Sequence, residues 1–335
     1  LARASNPHYS PSQVDALLIN ALETVAWPVV QGVVLLLPVY ALPLQGQELP
    51  AMSRDKAQVF AYYNDLNYIQ TEEAEALYAD TGQWVDYRPV AADYIRRSFR
   101  RAGDYLTGTG RYYLDAASGP IGLPEYLDLS AGYEVRVCVD LSFRALVQAR
   151  ANLKHQRGIF LCADLTNLPL ATESCDAVLS QHTLYHIPAA EQRAAALELY
   201  RVARPGARVA IVYNWFQHAW LIHLLLGPVQ VYRLLRFAAA RLYGRLRPER
   251  KRLYFHVHGP SWWRRLPVEG PVQFVCWRSL NKYALRLYAH EALGGRQLLA
   301  WLMRLEDRYP HLLGRWGDYP LILIDKPAAA GLSER

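Results

Sequence analysis

Sulfur is scarce in this chain: four cysteines and two methionines among 335 residues. Cys138, Cys162, Cys175 and Cys276 form no CxxC pair, which argues against a zinc knuckle, a disulfide-stapled scaffold or any other metal site. The first three fall inside apolar runs and read as small core residues in a reducing compartment. Internal repeats and low-complexity tracts are missing too, so solenoid and disordered classes drop out. Near the start, no positively charged region precedes an apolar run as a secretory signal requires, and the expected location is cytoplasmic. Charge of either sign is absent from Thr24 to Gln47, a stretch close in length to a membrane span.

That stretch is cut by Pro28, Pro38 and Pro43, each lacking a backbone donor. A straight transmembrane helix is therefore disfavoured, and residues 1–50 read as a bent apolar arm, packed on the protein or dipped into a membrane surface. With 52% hydrophobic and 20% charged residues, the chain can bury a large core. The net charge of +7 is concentrated: Arg233, Arg236, Arg241, Arg245, Arg247, Arg250, Lys251 and Arg252 crowd one segment. A solvated helix face, a surface for anionic lipid head groups and a surface for an acidic acceptor all fit this cluster. Nucleic acid fits less well, because no recognisable binding module accompanies the charge.

Residues 51–110 look helical, with Ser53 as N-cap, and form a candidate cap. Short apolar runs then alternate with amphipathic stretches: YYLD at 112–115, VRVCVD at 135–140, IFLCAD at 159–164, DAVLS at 176–180 and RVAIVY at 208–213. Strands spaced by helices imply an α/β fold with a mostly parallel, Rossmann-like sheet over 111–214. Residues 215–270, rich in tryptophan, leucine and arginine, read as a helical lid inserted after the fifth strand. Strand candidates at 272–280 and 319–327 within 271–328 would pair antiparallel at the sheet edge.

The chemistry centres on LDAASGPIG at 114–122, where a strand ends and a helix should begin. Small residues at Ala117, Gly119 and Gly122 allow a tight turn and close approach of backbone to a ligand. By itself the pattern also suits a dinucleotide site or a plain turn. Asp115, Asp140 and Asp164 stand at three successive strand ends, and a carboxylate there can accept both hydrogen bonds of a ribose diol.

Taken in order, these segments resemble the core of class I S-adenosylmethionine-dependent methyltransferases of the small-molecule group. LDAASGPIG resembles the glycine-rich first motif and VCVDLSFRAL the ribose-binding second strand. ADLTNLPLATESCDAVLS is similar to the run from strand three to strand four. HTLYHIP with ELYRVARPGARVAIV resembles the segment after strand four, its helix and the Arg-Pro-Gly turn into strand five. The resemblance implies S-adenosyl-L-methionine as cofactor, with Asp115, Ala117 and Gly119 at its methionine moiety and Asp140 at its ribose. Leu141 would face the adenine, Asp164 and Leu165 its edge, and Ser180 and Gln181 the methyl side. VFAYYNDL at 59–66 resembles the family's tyrosine-bearing helix and makes Tyr62 or Tyr63 a pocket wall. Ala117 and Ile121 stand where the family has glycine, and Pro120 lies between them.

His182 and His186 follow strand four on the expected methyl side and could take a proton from the acceptor, and Tyr213 closes strand five. The lid aromatics, the arginine cluster and the apolar arm together point to a small, apolar or lipid-like acceptor, with peripheral membrane contact. A tRNA or protein methyltransferase, and a non-catalytic cofactor-binding or membrane scaffold, are the alternative readings.

Overall fold

The computed structural model describes residues 8–44, 48–65, 68–71, 74–78, 85–106, 108–154, 156–232, 235 and 253–328. The expected alternation is present. Strands β7 (Gly110–Ala116), β8 (Tyr133–Asp140), β9 (Arg157–Cys162), β10 (Cys175–Gln181) and β11 (Ala203–Val212) run parallel in the order β9-β8-β7-β10-β11. Chain order reverses at β7, whose neighbours are β8 and β10, so the crevice at the carboxyl ends of those strands is the switch point where ligands of open α/β sheets bind.

The short helix α3 (Pro124–Asp128) follows the loop after β7. Helix α4 (Phe143–Asn152) links β8 to β9, and α5 (Gln192–Val202) precedes β11. Ser142 caps α4 as the sequence suggests, accepting from Ala145 N at 3.2 Å. The runs are nearly continuous in apolar character because both sheet faces are covered, and Leu114, Val139, Val178 and Ile211 are fully buried.

Beyond β11 the sheet ends in β13 (Tyr319–Asp325) and β12 (Val272–Arg278). β13 inserts between β11 and β12, antiparallel to both, so the antiparallel strand lies one place in from the edge. This places the carboxyl end of β12, at Arg278, on the same edge of the sheet as the ends of β7 to β11.

The charge-free segment expected as an arm is sheet. β1 (Val14–Ile19), β2 (Val25–Val30), β3 (Val33–Leu35) and the two-residue β4 (Leu42–Pro43) extend the sheet past β9, with Val34 and Leu35 pairing to Leu161 and Cys162. The valines at 25, 29, 30, 33 and 34 favour pleated backbone. Val30, Val33 and Leu35 are buried with Leu146 and Phe160 in a second core cluster, which is why this stretch carries no charge. Pro38 opens a 3-10 turn and Pro43 sits on the short β4. Among the described residues, no helix is long and apolar enough to cross a membrane.

The region 51–110 is only partly helical. Helices α1 (Arg54–Asp65) and α2 (Ala92–Arg101) flank a hairpin of β5 (Tyr68–Thr71) and β6 (Ala74–Tyr78), whose Tyr68, Ile69 and Thr71 are strand formers. In the region expected as a lid, α6 (Trp220–Leu225) and α7 (Pro260–Trp263) are present, and the arginine-rich cluster lies outside the described residues. Helices α8 (Lys282–Tyr288), α9 (Gly295–Arg308) and α10 (Pro310–Trp316) join β12 to β13.

Candidate active site

The loop after β7 keeps a glycine-type path although two side chains stand in it. Ala117 (φ +63°), Gly119 (φ +57°) and Ile121 (φ +52°) are all left-handed. Only glycine adopts this region without steric cost, and a β-branched residue there is an outlier. The path is held from outside. Ala117 N and Ser118 N donate to Val139 O at 2.7 and 3.2 Å, Gly119 N donates to Asp140 Oδ2 at 2.9 Å, and Ile121 is buried in the Leu146 and Ala149 cluster.

The three acids have different surroundings. Asp140, 7% exposed, accepts Gly119 N on one oxygen and Ser142 N on the other, at 2.9 and 2.8 Å. Burial pushes its carboxyl up to about 6 against these backbone bonds. An ionised carboxylate has about four acceptor positions, so two used here leave capacity for a diol. Asp115 instead turns to Arg136 of β8, in a buried ion pair with contacts of 2.5 and 3.0 Å. Arg136 is further held by Tyr126 O and Ser130 Oγ at 2.7 and 2.9 Å, which anchors α3 and the turn after it to the sheet.

Asp164 receives Lys56 Nζ of α1 at 2.5 Å and Thr166 N at 2.9 Å, and the same ammonium also contacts Glu191. With Asn64 Nδ2 on Leu141 O at 3.4 Å and Ser142 Oγ on Tyr63 O at 3.2 Å, this lays α1 across the ends of β8 and β9. The Tyr63 ring reaches the His186 ring, edge-on at 6.3 Å between centroids. Leu165 is buried in the main core.

After β10 the backbone turns through His182 in the left-handed region (φ +57°). His182 Nδ1 lies 3.0 Å from Tyr185 OH, and its ring meets the Trp277 and Tyr319 rings edge-on at 4.7 and 5.5 Å. Burial, with the charge of Arg278 and His186 nearby, pushes its imidazole down to about 3. Burial likewise lowers His186 to about 4, against a 2.8 Å bond from Nδ1 to Tyr254 O. A carbonyl only accepts, so Nδ1 carries the proton and Nε2 keeps its lone pair.

Tyr213 is fully buried. Its hydroxyl accepts from His258 N at 2.9 Å and donates towards Gln192 Oε1 at 3.4 Å, and burial pushes its pKa well up, which keeps it protonated. Residues 254–258 clamp this side: His256 N donates to Tyr185 O at 2.8 Å, and Gln192 Nε2 donates to His256 O at 3.0 Å. Among the described residues, no three His, Cys, Asp or Glu side chains cluster as metal ligands.

Ser180 Oγ, Gln181 Oε1 and Asn214 Oδ1 are buried at the ends of β10 and β11 without a hydrogen-bond partner. Ser180 pairs with Ala116 across the strands, which places it beside the start of the glycine-type loop. Spare acceptors on Asp140, a loop with left-handed backbone and partnerless acceptors at the neighbouring strand end together fit the ribose and methionine parts of S-adenosylmethionine. Sequence reasoning misses Lys56, Glu191, Arg136 and Arg278. Only Arg278 carries a visible signal there, as a charge closing the apolar run VQFVCWRSL.

The family described as a methyltransferase domain matches residues 114–211. A demethylmenaquinone methyltransferase of Roseiflexus sp. (strain RS-1) is 32% identical over 111 residues, covering 33% of this chain and 41% of the relative. Its counterpart in Roseiflexus castenholzii is 29% identical over 170 residues, covering 50% and 62%. The chain thus spans less than two thirds of the length of these relatives. Among solved structures, the N-methyltransferase NodS from Bradyrhizobium japonicum, in complex with S-adenosyl-L-homocysteine, overlaps with TM-score 0.33 at 16% identity, over 38% of this chain and 57% of that one.

Proposed function

We propose that this chain, whose residues 114–211 form a class I S-adenosylmethionine-dependent methyltransferase domain, moves a methyl group to a small, apolar or lipid-like acceptor. The observation that carries the reading is Asp140, a buried carboxylate at the switch point that ties down the glycine-type loop and keeps acceptor capacity. In this reading Asp140 holds the ribose, and Ala117, Gly119 and Ser180 line the methionine end. Leu141 and Tyr63 wall the adenine. Asp164 and Leu165 meet the adenine edge once Lys56 has given way.

The bound sulfonium supplies an already activated methyl group, so what remains for the protein is to align the acceptor atom and exclude water. One bond forms between acceptor oxygen or carbon and the methyl carbon while the methyl–sulfur bond breaks. The proton of the acceptor hydroxyl or acidic carbon goes to a neutral imidazole, for which His186 Nε2 and His182 are placed after β10. Tyr213, with its hydroxyl already bonded on both sides, acts as wall rather than base.

Two features support a lipid-like acceptor: the aromatic surroundings built by Tyr185, Phe255, Trp263 and Trp277, and the relatives' names. Leu224, Val231 and Tyr232, exposed on the segment leading to the arginine cluster, support delivery from a membrane surface. The test is calorimetric titration of the intact chain with S-adenosylhomocysteine, beside an Asp140→Ala variant. Micromolar binding that the variant loses is expected, and a folded intact chain that does not bind would shift the reading to a scaffold.

A further inference from the structure

Among the described residues three arginines are almost fully buried, and two of them are paired. Arg136 meets Asp115, and Arg101 meets Glu306 at 2.7 Å and also donates to Trp277 O at 2.7 Å. Arg278, 2% exposed, forms no ion pair among the described residues, and its Nε and Nη1 have no hydrogen-bond partner. Its guanidinium rests over the Trp277 and Tyr319 rings, 5.1 and 4.6 Å from their centroids. Cation–π contact of this kind satisfies the plane of the group, and Tyr319 also takes a side-chain hydrogen bond from it, which leaves Nε–H and Nη1–H unanswered.

The surrounding chain is well built. Ser279, the next residue, places both its N–H and its hydroxyl on Glu306 at 2.8 and 2.6 Å. Asp318, also buried, is pushed up to about 6 by burial with Arg278 opposing, so near pH 8 it is ionised and within electrostatic reach of Arg278, but it forms no ion pair with it. Buried donors without an acceptor are costly, and Asp318 answers neither Nε nor Nη1, so the site suits an incoming oxyanion.

The location says which anion. β12 stands four places along the sheet from β7, about 19 Å at strand spacing, far from the methionine end of the cofactor cleft. Arg278 instead shares the Trp277 and Tyr319 rings with His182, and its charge acts on His182 itself. Tyr319, flanked by Arg278 and Asn214, brings the partnerless Asn214 acceptor to the same place.

We propose that Arg278 is the binding residue for an oxyanion on the methyl acceptor, received by one of its two unpartnered donors, Nε–H or Nη1–H, beside His182. The acceptor class is thereby an aromatic or apolar molecule with an ionised oxygen, either a carboxylate or a hydroxyl that has lost its proton. This rests on the reading of the chain as a methyltransferase.

The test uses two probe pairs at about pH 8, where both anions are ionised: 1-naphthoate beside methyl 1-naphthoate, and 4-nitrophenolate beside 4-nitroanisole. Calorimetry is run on the full chain with and without S-adenosylhomocysteine. The anion of at least one pair should bind about tenfold or more tighter than its neutral partner, the ratio expected of a charged hydrogen bond. Preference in the first pair identifies a carboxylate acceptor, and preference in the second an ionised hydroxyl. Arg278→Gln should reduce the ratio below about threefold and Arg278→Lys should retain part of it. No anion preference in the intact chain, or one unchanged in Arg278→Gln, overturns the proposal.

Arg278→Met gives an independent readout. At pH 5, where Asp318 is protonated, its melting temperature should hold or rise, since a buried charge with unanswered donors is removed, whereas a fall or loss of folding would make Arg278 structural and overturn the proposal. Loss of S-adenosylhomocysteine binding with anion preference intact would sink the methyltransferase reading alone.

Discussion

Along one edge of a single sheet, the β7–β9 side closes its polar groups on one another, whereas the β10–β12 side leaves them open. On the first side Asp115 pairs with Arg136, Asp140 takes two backbone donors and Asp164 holds Lys56. Tyr113 OH is the exception there. On the second side Ser180, Gln181, Asn214, Trp263, Trp277 and Arg278 all present buried polar atoms without partners. A buried unsatisfied group costs roughly 1–3 kcal/mol, so one well-packed sheet would not carry so many at one end without a ligand to meet them. Closed polar groups fix the shape of a site, and open ones record what enters it.

Breaking a closed pair should have the largest effect. Arg136→Ala strands a buried carboxylate and unties α3, and should lower unfolding free energy in urea by about 3–5 kcal/mol. Arg278→Met, the matching cut on the open side, should lower it by nothing measurable at pH 5, where Asp318 is protonated. Equal losses for the two would erase the distinction between the sides. Asp140→Asn keeps the shape but halves the charge-assisted acceptors, and should weaken S-adenosylhomocysteine binding by about 1.5–3 kcal/mol in calorimetry.

Acid sharpens the comparison further. Between about pH 3 and pH 6.5 the unfolded chain protonates His182 while the folded chain does not, so stability falls as pH drops through that window. Asp140 has the opposite sign. With its folded value near 6 against 3.8, it binds a proton only when folded in that interval and stabilises towards acid. His182→Gln should therefore flatten the acid decline in melting temperature between pH 6.5 and 5, and Asp140→Asn should steepen it. The smallest effect is at the loop. Ala117→Gly relieves a left-handed residue that buries little, and should raise stability by about 1 kcal/mol in the same urea titration. Ile121→Gly relieves the same φ but removes a buried side chain, and should lower it.

Much of the cofactor side is legible in the sequence because it is local. A strand end, the loop after it and the next helix cap are adjacent along the chain, so Asp115, Gly119, Asp140 and Ser142 can be placed by spacing. The partners of those acids are not legible, since Arg136 lies 21 residues from Asp115 and Lys56 lies 108 from Asp164. The apolar run at 24–47 passes for an arm for a related reason: a strand buried by distant segments and a membrane-facing segment share the same lack of charge. Residues 68–78 pass for helix because a short hairpin interrupts two genuine helices.

The sequence by itself determined the α/β alternation, the switch point and the acids beside it, because periodicity and strand-end chemistry act over a few residues. Only the tertiary structure decided that the N-terminal valines extend the sheet, that β13 slips between β11 and β12, and that Arg278 arrives unpaired beside His182. Those outcomes depend on which strands meet, and pairing between distant segments is settled by the burial of whole faces rather than by any residue's neighbours in the chain.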